Sequence, residues 1–265
     1  MTAAAPSANA NPGYDATGLA DRYHSVQQQI DSACSDAGRN RADVTLIVVS
    51  KFHPAQLVLN LAALGQRDFG ENKDQEASAK SVEVAEAMAA GALSDQSGIA
   101  PNWHFIGQLQ SNKAKSVLRY AKSIHSLDRL SLLQALGKER QKLADQAAEN
   151  GTPTPAATDV FIELNLTDDP ERGGIQPSGL AAFAESVLNT AGLNLVGVMG
   201  VASLDGKEER DFALIQQASA QLQTLAPHAK FISAGMSNDF AVALRFGATH
   251  LRIGTAITGP RQYLT

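Results

Sequence analysis

Cysteine is nearly missing from this chain of 265 residues: Cys34 stands alone, so neither an intrachain disulfide nor a cysteine-rich zinc site can be built. A reducing compartment is the natural setting. A basic excess is missing as well. The 22 Lys and Arg against 27 Asp and Glu leave a net charge of -5, which gives no electrostatic reason to expect a nucleic acid or an anionic membrane as partner. No stretch approaches the roughly 18 uninterrupted apolar residues of a spanning helix. The first 13 residues carry neither charge nor an apolar run, which removes both parts of a secretory signal. Residues 1–13 therefore read as a disordered tail, and the chain as cytoplasmic, with no membrane or nucleic-acid partner.

What is present is a globular composition. Hydrophobic residues at 44% and charged residues at 18%, with 21 Gly and 10 Pro, exclude collagen-like, coiled-coil and wholly disordered chains. Leu19, Tyr23, Val26, Ile30 and Cys34 recur at helical spacing before Gly38, which predicts an amphipathic opening helix. Short β-branched runs then alternate with helical stretches. Strands are expected at 45–51, 67–70, 103–107, 122–127, 159–165, 193–200, 230–235 and 249–254. Helices are expected at 54–64, from about 71 to 90, from 111, up to 149, and at 177–191, 207–225 and 239–246. The run 150–158 has linker composition and is read as a long loop within one domain. Alternating strands and helices require parallel pairing with right-handed crossovers. Eight units at this length predict a single (β/α)8 barrel over 14–265, with an extra N-terminal helix. No G-x-G-x-x-G follows any strand, which weakens a doubly wound nucleotide-binding sheet.

In such a barrel the chemistry sits at the C-terminal strand ends, with phosphate sites favoured after strands 7 and 8. Strand 1 ends in Ser50-Lys51, strand 2 runs into Glu71-Asn72, strand 7 into Gly235-Met236-Ser237-Asn238-Asp239, and strand 8 into Arg252-Ile253-Gly254-Thr255. Strands 8 and 1 are neighbours in a closed barrel, so these ends surround one pocket. Lys51 is either an ammonium reaching the rim or, in a partly dry pocket, an amine that condenses with an aldehyde. Ser237 and Asp239 read as helix-start residues, where free N–H groups and a hydroxyl suit a phosphate; an ordinary capped loop is the plainer alternative. Arg252 interrupts an apolar strand and must pair with an acid or with a ligand acceptor. His104 between Trp103 and Phe105 is expected to be a hydrogen-bonded core histidine, since no second ligand lies at metal spacing.

The segments VVSKFHP (48–54), FGENKDQE (69–76), WHFIGQLQSNKAK (103–115), IHSLD (124–128), GVMG (197–200) and SAGMSNDFAVALRFGATHLRIGTAITG (233–259) together resemble the pyridoxal phosphate homeostasis proteins. That resemblance spans nearly the whole chain after the tail. It implies a single-domain barrel similar to the N-terminal domain of alanine racemase, carrying pyridoxal 5′-phosphate (PLP) as a Schiff base on Lys51. It further implies Asn72 beside the cofactor, Ser237, Gly254 and Thr255 on the phosphate with Gly235 and Met236 in the same loop, and Arg252 facing the pyridine nitrogen. Lys73-Asp74 departs from the Tyr-Val common in the family and adds a second amine near the rim.

An arginine on the ring nitrogen keeps it unprotonated and weakens PLP as an electron sink. The chain ends at Thr265 soon after strand 8, with Tyr263 as its late tyrosine and no room for a second catalytic domain. The expectation is a non-catalytic, monomeric PLP carrier in vitamin B6 homeostasis that supplies recipient apo-enzymes. An amino-acid racemase is the alternative, and a Schiff-base aldolase acting on sugar phosphates is a third class sharing barrel, lysine and phosphate site.

Overall fold

The computed structural model describes residues 16–92, 100–167, 169, 172–203 and 206–259. The tail at 1–13 and Tyr263 lie outside the described residues.

The opening helix α1 (Leu19–Asp36) buries Leu19, Tyr23, Val26, Ile30 and Cys34, the five positions of the apolar stripe. Strands β1 (Thr45–Val49), β2 (Asp68–Glu71), β3 (Asn102–Phe105), β4 (Ala121–Leu127), β5 (Thr158–Glu163), β6 (Leu193–Met199), β7 (Phe231–Ser233) and β8 (His250–Ile253) follow. They pair in parallel and in chain order, and β8 closes on β1 with Ile47 opposite Arg252. Between them run α2 (Ala55–Ala63), α3 (Asp74–Ala89), α4 (Ala114–Val117), α5 (Leu130–Glu149), α6 (Leu180–Leu188), α7 (Glu208–Leu225) and α8 (Phe240–Arg245). A single turn, α9 (Thr255–Thr258), follows β8. The chain is one α/β domain, a closed eight-stranded parallel barrel with an added N-terminal helix.

The expected elements are all found, with shifted ends. Only four residues of α4 are helical, after a 3-10 turn at Ser111–Lys113, because β4 begins at Ala121. The helix expected from 177 starts as a 3-10 turn at Pro177–Gly179, and α6 proper runs Leu180–Leu188. No helix among the described residues is long and apolar enough to cross a membrane.

Alternation along the strands sorts side chains into two populations. Leu46, Val48, Phe69, Phe105, Ile124, Val160, Ile162, Leu251 and Ile253 face the helices in the main apolar core. Phe161, Val196 and Met199, with Phe231 against them, form a separate apolar cluster. A further set of interior side chains is polar: Asp68, His104, Ser123, His125, Ser233 and Arg252 hydrogen-bond to one another in a continuous file. Arg252 therefore stays inside the barrel.

Candidate functional site

The C-terminal ends of β7, β8, β1 and β2 are consecutive around the barrel, and they bring the predicted site residues to one mouth. Lys51, half-buried, follows β1. The segment that carries it is pinned from behind by Lys80 of α3. The Lys80 ammonium donates to the Ser50 carbonyl at 2.9 Å, to Glu71 at 2.6 Å and to Glu76 at 2.8 Å, while the Ser50 hydroxyl donates to Glu71 at 2.7 Å. Lys80 is 5% exposed and Glu71 1%, so this charge pair is shut away from water. Burial pushes the Glu71 carboxyl above its ordinary range, and Lys80 opposes that rise.

The next residue, Phe52, has φ of 67°, and among the described residues it alone enters the left-handed region without being glycine. Its backbone N–H donates to Glu76. A bulky residue held at positive φ is strained, and such strain gathers where the chain has a functional constraint. Here it falls in the turn that follows Lys51. The exposed Phe52 ring lies 5.9 Å from the Lys51 ammonium and 5.5 Å from that of Lys73, so the second amine expected near the rim is there.

Asn72 follows β2, and its Oδ1 is buried without a hydrogen-bond partner. Gly107 is what lets the chain pass: a Cβ there would come within 2.2 Å of the Asn72 carbonyl oxygen. Across the mouth, Gly235 turns at φ of 94°, where a Cβ would meet Ala243 at 2.9 Å. The turn is closed by Asp239, whose carboxylate accepts from the Met236 N–H at 2.5 Å. Asp239 occupies the position before α8, so Ser237 lies two residues earlier and does not cap that helix. Gly254 begins α9 in an irregular conformation, φ −113° and ψ −94°. Among the described residues the backbone N–H groups of Ser237 and Thr255 have no protein acceptor. Unpaired N–H groups on two adjacent loops are what an anionic ligand group would satisfy, and the unpaired Asn72 oxygen calls for a ligand that also carries a donor.

Below this mouth, Arg252 donates through Nη1 to Ser233 Oγ at 2.6 Å and through Nη2 to the Gly200 carbonyl at 2.9 Å. No acid lies within ion-pair distance of it among the described residues. Burial pulls its guanidinium down to about 10, against the opposing charges of Glu163 and Asp239, so it remains a cation at neutral pH.

Residues 27–262 match the family described as alanine racemase, N-terminal domain. Among curated proteins, the pyridoxal phosphate homeostasis protein of Mycobacterium bovis is 36% identical over 240 residues, covering 89% of this chain and 90% of the relative. That of Escherichia coli is 34% identical over 248 residues, covering 92% and 97%. This chain belongs to the pyridoxal phosphate homeostasis protein family. PipY of Synechococcus elongatus, solved with PLP bound, is similar over 91% of this chain and 100% of that one, with 30% identity and a TM-score of 0.72. An alanine racemase from Corynebacterium glutamicum shares the fold with a TM-score of 0.62 at 14% identity, and this chain covers 62% of it.

The family resemblance did not point to the polar surroundings of the site. Glu163, at the end of β5, is pushed up to about 7, first by burial and then by the nearby Asp128, with Arg252, Arg172 and Arg129 pulling it back. Its position at a strand end was the available signal. A carboxyl held above its ordinary 4.5 binds a proton in the folded state that the unfolded chain has lost. Stability of the cofactor-free protein should therefore fall as pH rises from about 4.5 to about 7 through this group. Glu163→Gln should flatten that segment of the stability profile, measured by urea unfolding across the range; an unchanged slope would remove Glu163 as its source. His104 is the buried, hydrogen-bonded histidine expected, bonded to Asp68 and Ser123. Its partners Ser123 and His125, and Ser233 beyond His125, escaped the sequence reading because strand alternation does not say which polar residues meet across a barrel.

Proposed function

We propose that this protein stores PLP on Lys51 and delivers it to recipient apo-enzymes, acting as a carrier and not as an enzyme. The reading is carried by one observation: Lys51, Asn72, the 235–237 turn and the 254–255 turn converge on one mouth of the barrel, directly above Arg252. Family membership and the PLP found in PipY support it. The domain concerned is the barrel at 14–265, working as a cytoplasmic monomer.

PLP, when bound, supplies an aldehyde that condenses with a primary amine and a pyridine ring that withdraws electrons when protonated. Lys51 provides the amine, its backbone held on either side by Lys80 at the Ser50 carbonyl and by Glu76 at the Phe52 N–H. Ser237 and Thr255 provide two hydroxyls and two unpaired N–H groups for the phosphate, with Gly235, Met236 and Gly254 letting the backbone approach. Asn72 turns an unpaired oxygen toward the cofactor. Arg252, anchored by Ser233 and Gly200, keeps further N–H groups for the ring nitrogen and denies it a proton. Such a site exchanges amines and stabilises a carbanion poorly.

Two experiments test the reading. A charge-assisted hydrogen bond contributes roughly 1.5–3 kcal/mol, so Ser237→Ala should weaken PLP retention about tenfold or more with the fold intact. Unchanged retention in a Ser237→Ala, Thr255→Val double variant would put the phosphate elsewhere. Deuterium uptake at Cα of L-alanine in heavy water should be negligible even at high protein concentration. Uptake or racemisation at several turnovers per second would favour the racemase reading instead.

A further inference from the structure

A (β/α)8 barrel ordinarily fills its interior with branched aliphatic side chains. Here a file of polar groups runs from one end to the other. Arg252 Nη1 lies 2.6 Å from Ser233 Oγ, and that oxygen lies 2.8 Å from His125 Nδ1. His125 Nε2 is 2.9 Å from Ser123 Oγ, which is 2.6 Å from His104 Nδ1, and the two ring nitrogens also meet directly at 3.0 Å. His104 Nε2 ends the file 2.9 Å from Asp68 Oδ1. The four middle residues are all buried.

The two ends dictate how the protons are arranged. A guanidinium only donates, so Ser233 accepts from Arg252, and among the described residues the acceptor within reach of its own proton is His125 Nδ1. His125, buried beside His104, His250 and Arg252, is held far below the ordinary histidine range and is neutral. Its single proton is then on Nε2, facing Ser123. His104 Nδ1 accepts from the Ser123 hydroxyl and from His125 Nε2–H, which leaves the His104 Nε2–H for the carboxylate of Asp68. An ionised carboxylate only accepts, and hydrogen bonds from His104 and Asn102 hold Asp68 below its ordinary range despite burial. Run in reverse, the file would leave the buried Ser233 proton without an acceptor and turn a His104 lone pair toward a carboxylate. Cation and anion therefore select one direction.

Asp68 and His104 also line a cavity of ≈ 580 Å³ with His250, Lys122 and Asp159 from the N-terminal strand ends, opposite the Lys51 mouth. We infer that Ser233, His125, Ser123, His104 and Asp68 form a one-way hydrogen-bond relay that positions Arg252 for the cofactor ring, so that loss of the Asp68 charge is felt at the far mouth. This rests on the PLP reading above, in which Arg252 faces the ring nitrogen. The five are positioning residues, since each acts through Arg252.

Long-range proton–nitrogen correlation spectra of the cofactor-free full chain, with labelled histidine assigned through His104→Gln and His125→Gln, read the tautomers directly. Both rings should carry the proton on Nε2, with Nδ1 bare. In Asp68→Asn, whose amide can donate back to His104, a large share of both should move to the Nδ1–H form. A wild-type proton on Nδ1 of either ring, or tautomers unaltered in Asp68→Asn, would overturn the relay. In the PLP-loaded protein, Ser233→Ala should shift the long-wavelength band and speed PLP release about fivefold, the worth of one hydrogen bond, and Ser233→Thr should restore both. Asp68→Asn should shift the band in the same direction. A band unmoved in both Ser233→Ala and Asp68→Asn, with only the melting temperature lowered, would reduce the file to packing and equally overturn the relay. The tautomer readout needs no cofactor, so failure of PLP binding and failure of the relay are told apart.

Discussion

Lys80→Ala should destabilise the protein by roughly 3–5 kcal/mol, the cost of stranding one partner of a buried ion pair. The magnitude follows from enclosure: Glu71 is 1% exposed, and its Oε1 receives both the Lys80 ammonium and the Ser50 hydroxyl, while Oε2 has no partner at all. Removing Lys80 leaves a carboxylate that neither water nor another cation reaches. The loss should shrink as pH falls, because protonating Glu71 removes the stranded charge. Replacing both charges, Glu71→Gln with Lys80→Met, should recover most of it, since a buried pair contributes little beyond a well-packed neutral core. Urea unfolding of the two variants at neutral and acidic pH checks this. Equal losses in single and double variants would show that Lys80 acts by packing and not by charge. The same variant should loosen the site, because Lys80 also holds the Ser50 carbonyl next to Lys51.

Lys51→Ala should have the opposite signature, an abolished cofactor signal on an intact fold. Lys51 is only half-buried and has no ion-pair partner among the described residues. Its removal from the cofactor-free protein should shift stability by no more than about 0.5 kcal/mol, as expected of a surface substitution. Yet the long-wavelength absorption of the PLP-loaded protein should disappear, because the covalent attachment requires that amine. Circular dichroism melts beside absorption spectra separate the two effects. Retention of the band in Lys51→Ala would move the attachment to another lysine.

The architecture was legible because each unit carried its own period: the stripe from Leu19 to Cys34 for α1, and β-branched runs such as 45–49 for the strands. Closure of the barrel then put Lys51, Asn72, Ser237 and Thr255 on one rim without further information. Element ends were less legible. At α4 a polar turn at 111–113 and an early β4 compete for the same residues, and local propensity does not say which wins. The strain at Phe52 and the Lys80–Glu71 pair were invisible, since Phe carries no mark of positive φ and a lysine in an Ala/Glu-rich helix reads as solvated. The interior relay was illegible for a different reason. Asp68, His104, Ser123, Ser233 and Arg252 come from five strands, and only three-dimensional closure brings them into one file.

The central claim, that Lys51 holds PLP at the C-terminal mouth of the barrel, is tested most directly by reducing the PLP-loaded protein with borohydride and mapping the modified peptide by mass spectrometry. The expected result is a single phosphopyridoxyl adduct on Lys51, with Lys73, only one Phe52 ring away, left unmodified. An adduct on Lys73 or Lys113, or no stable adduct at all, would contradict it.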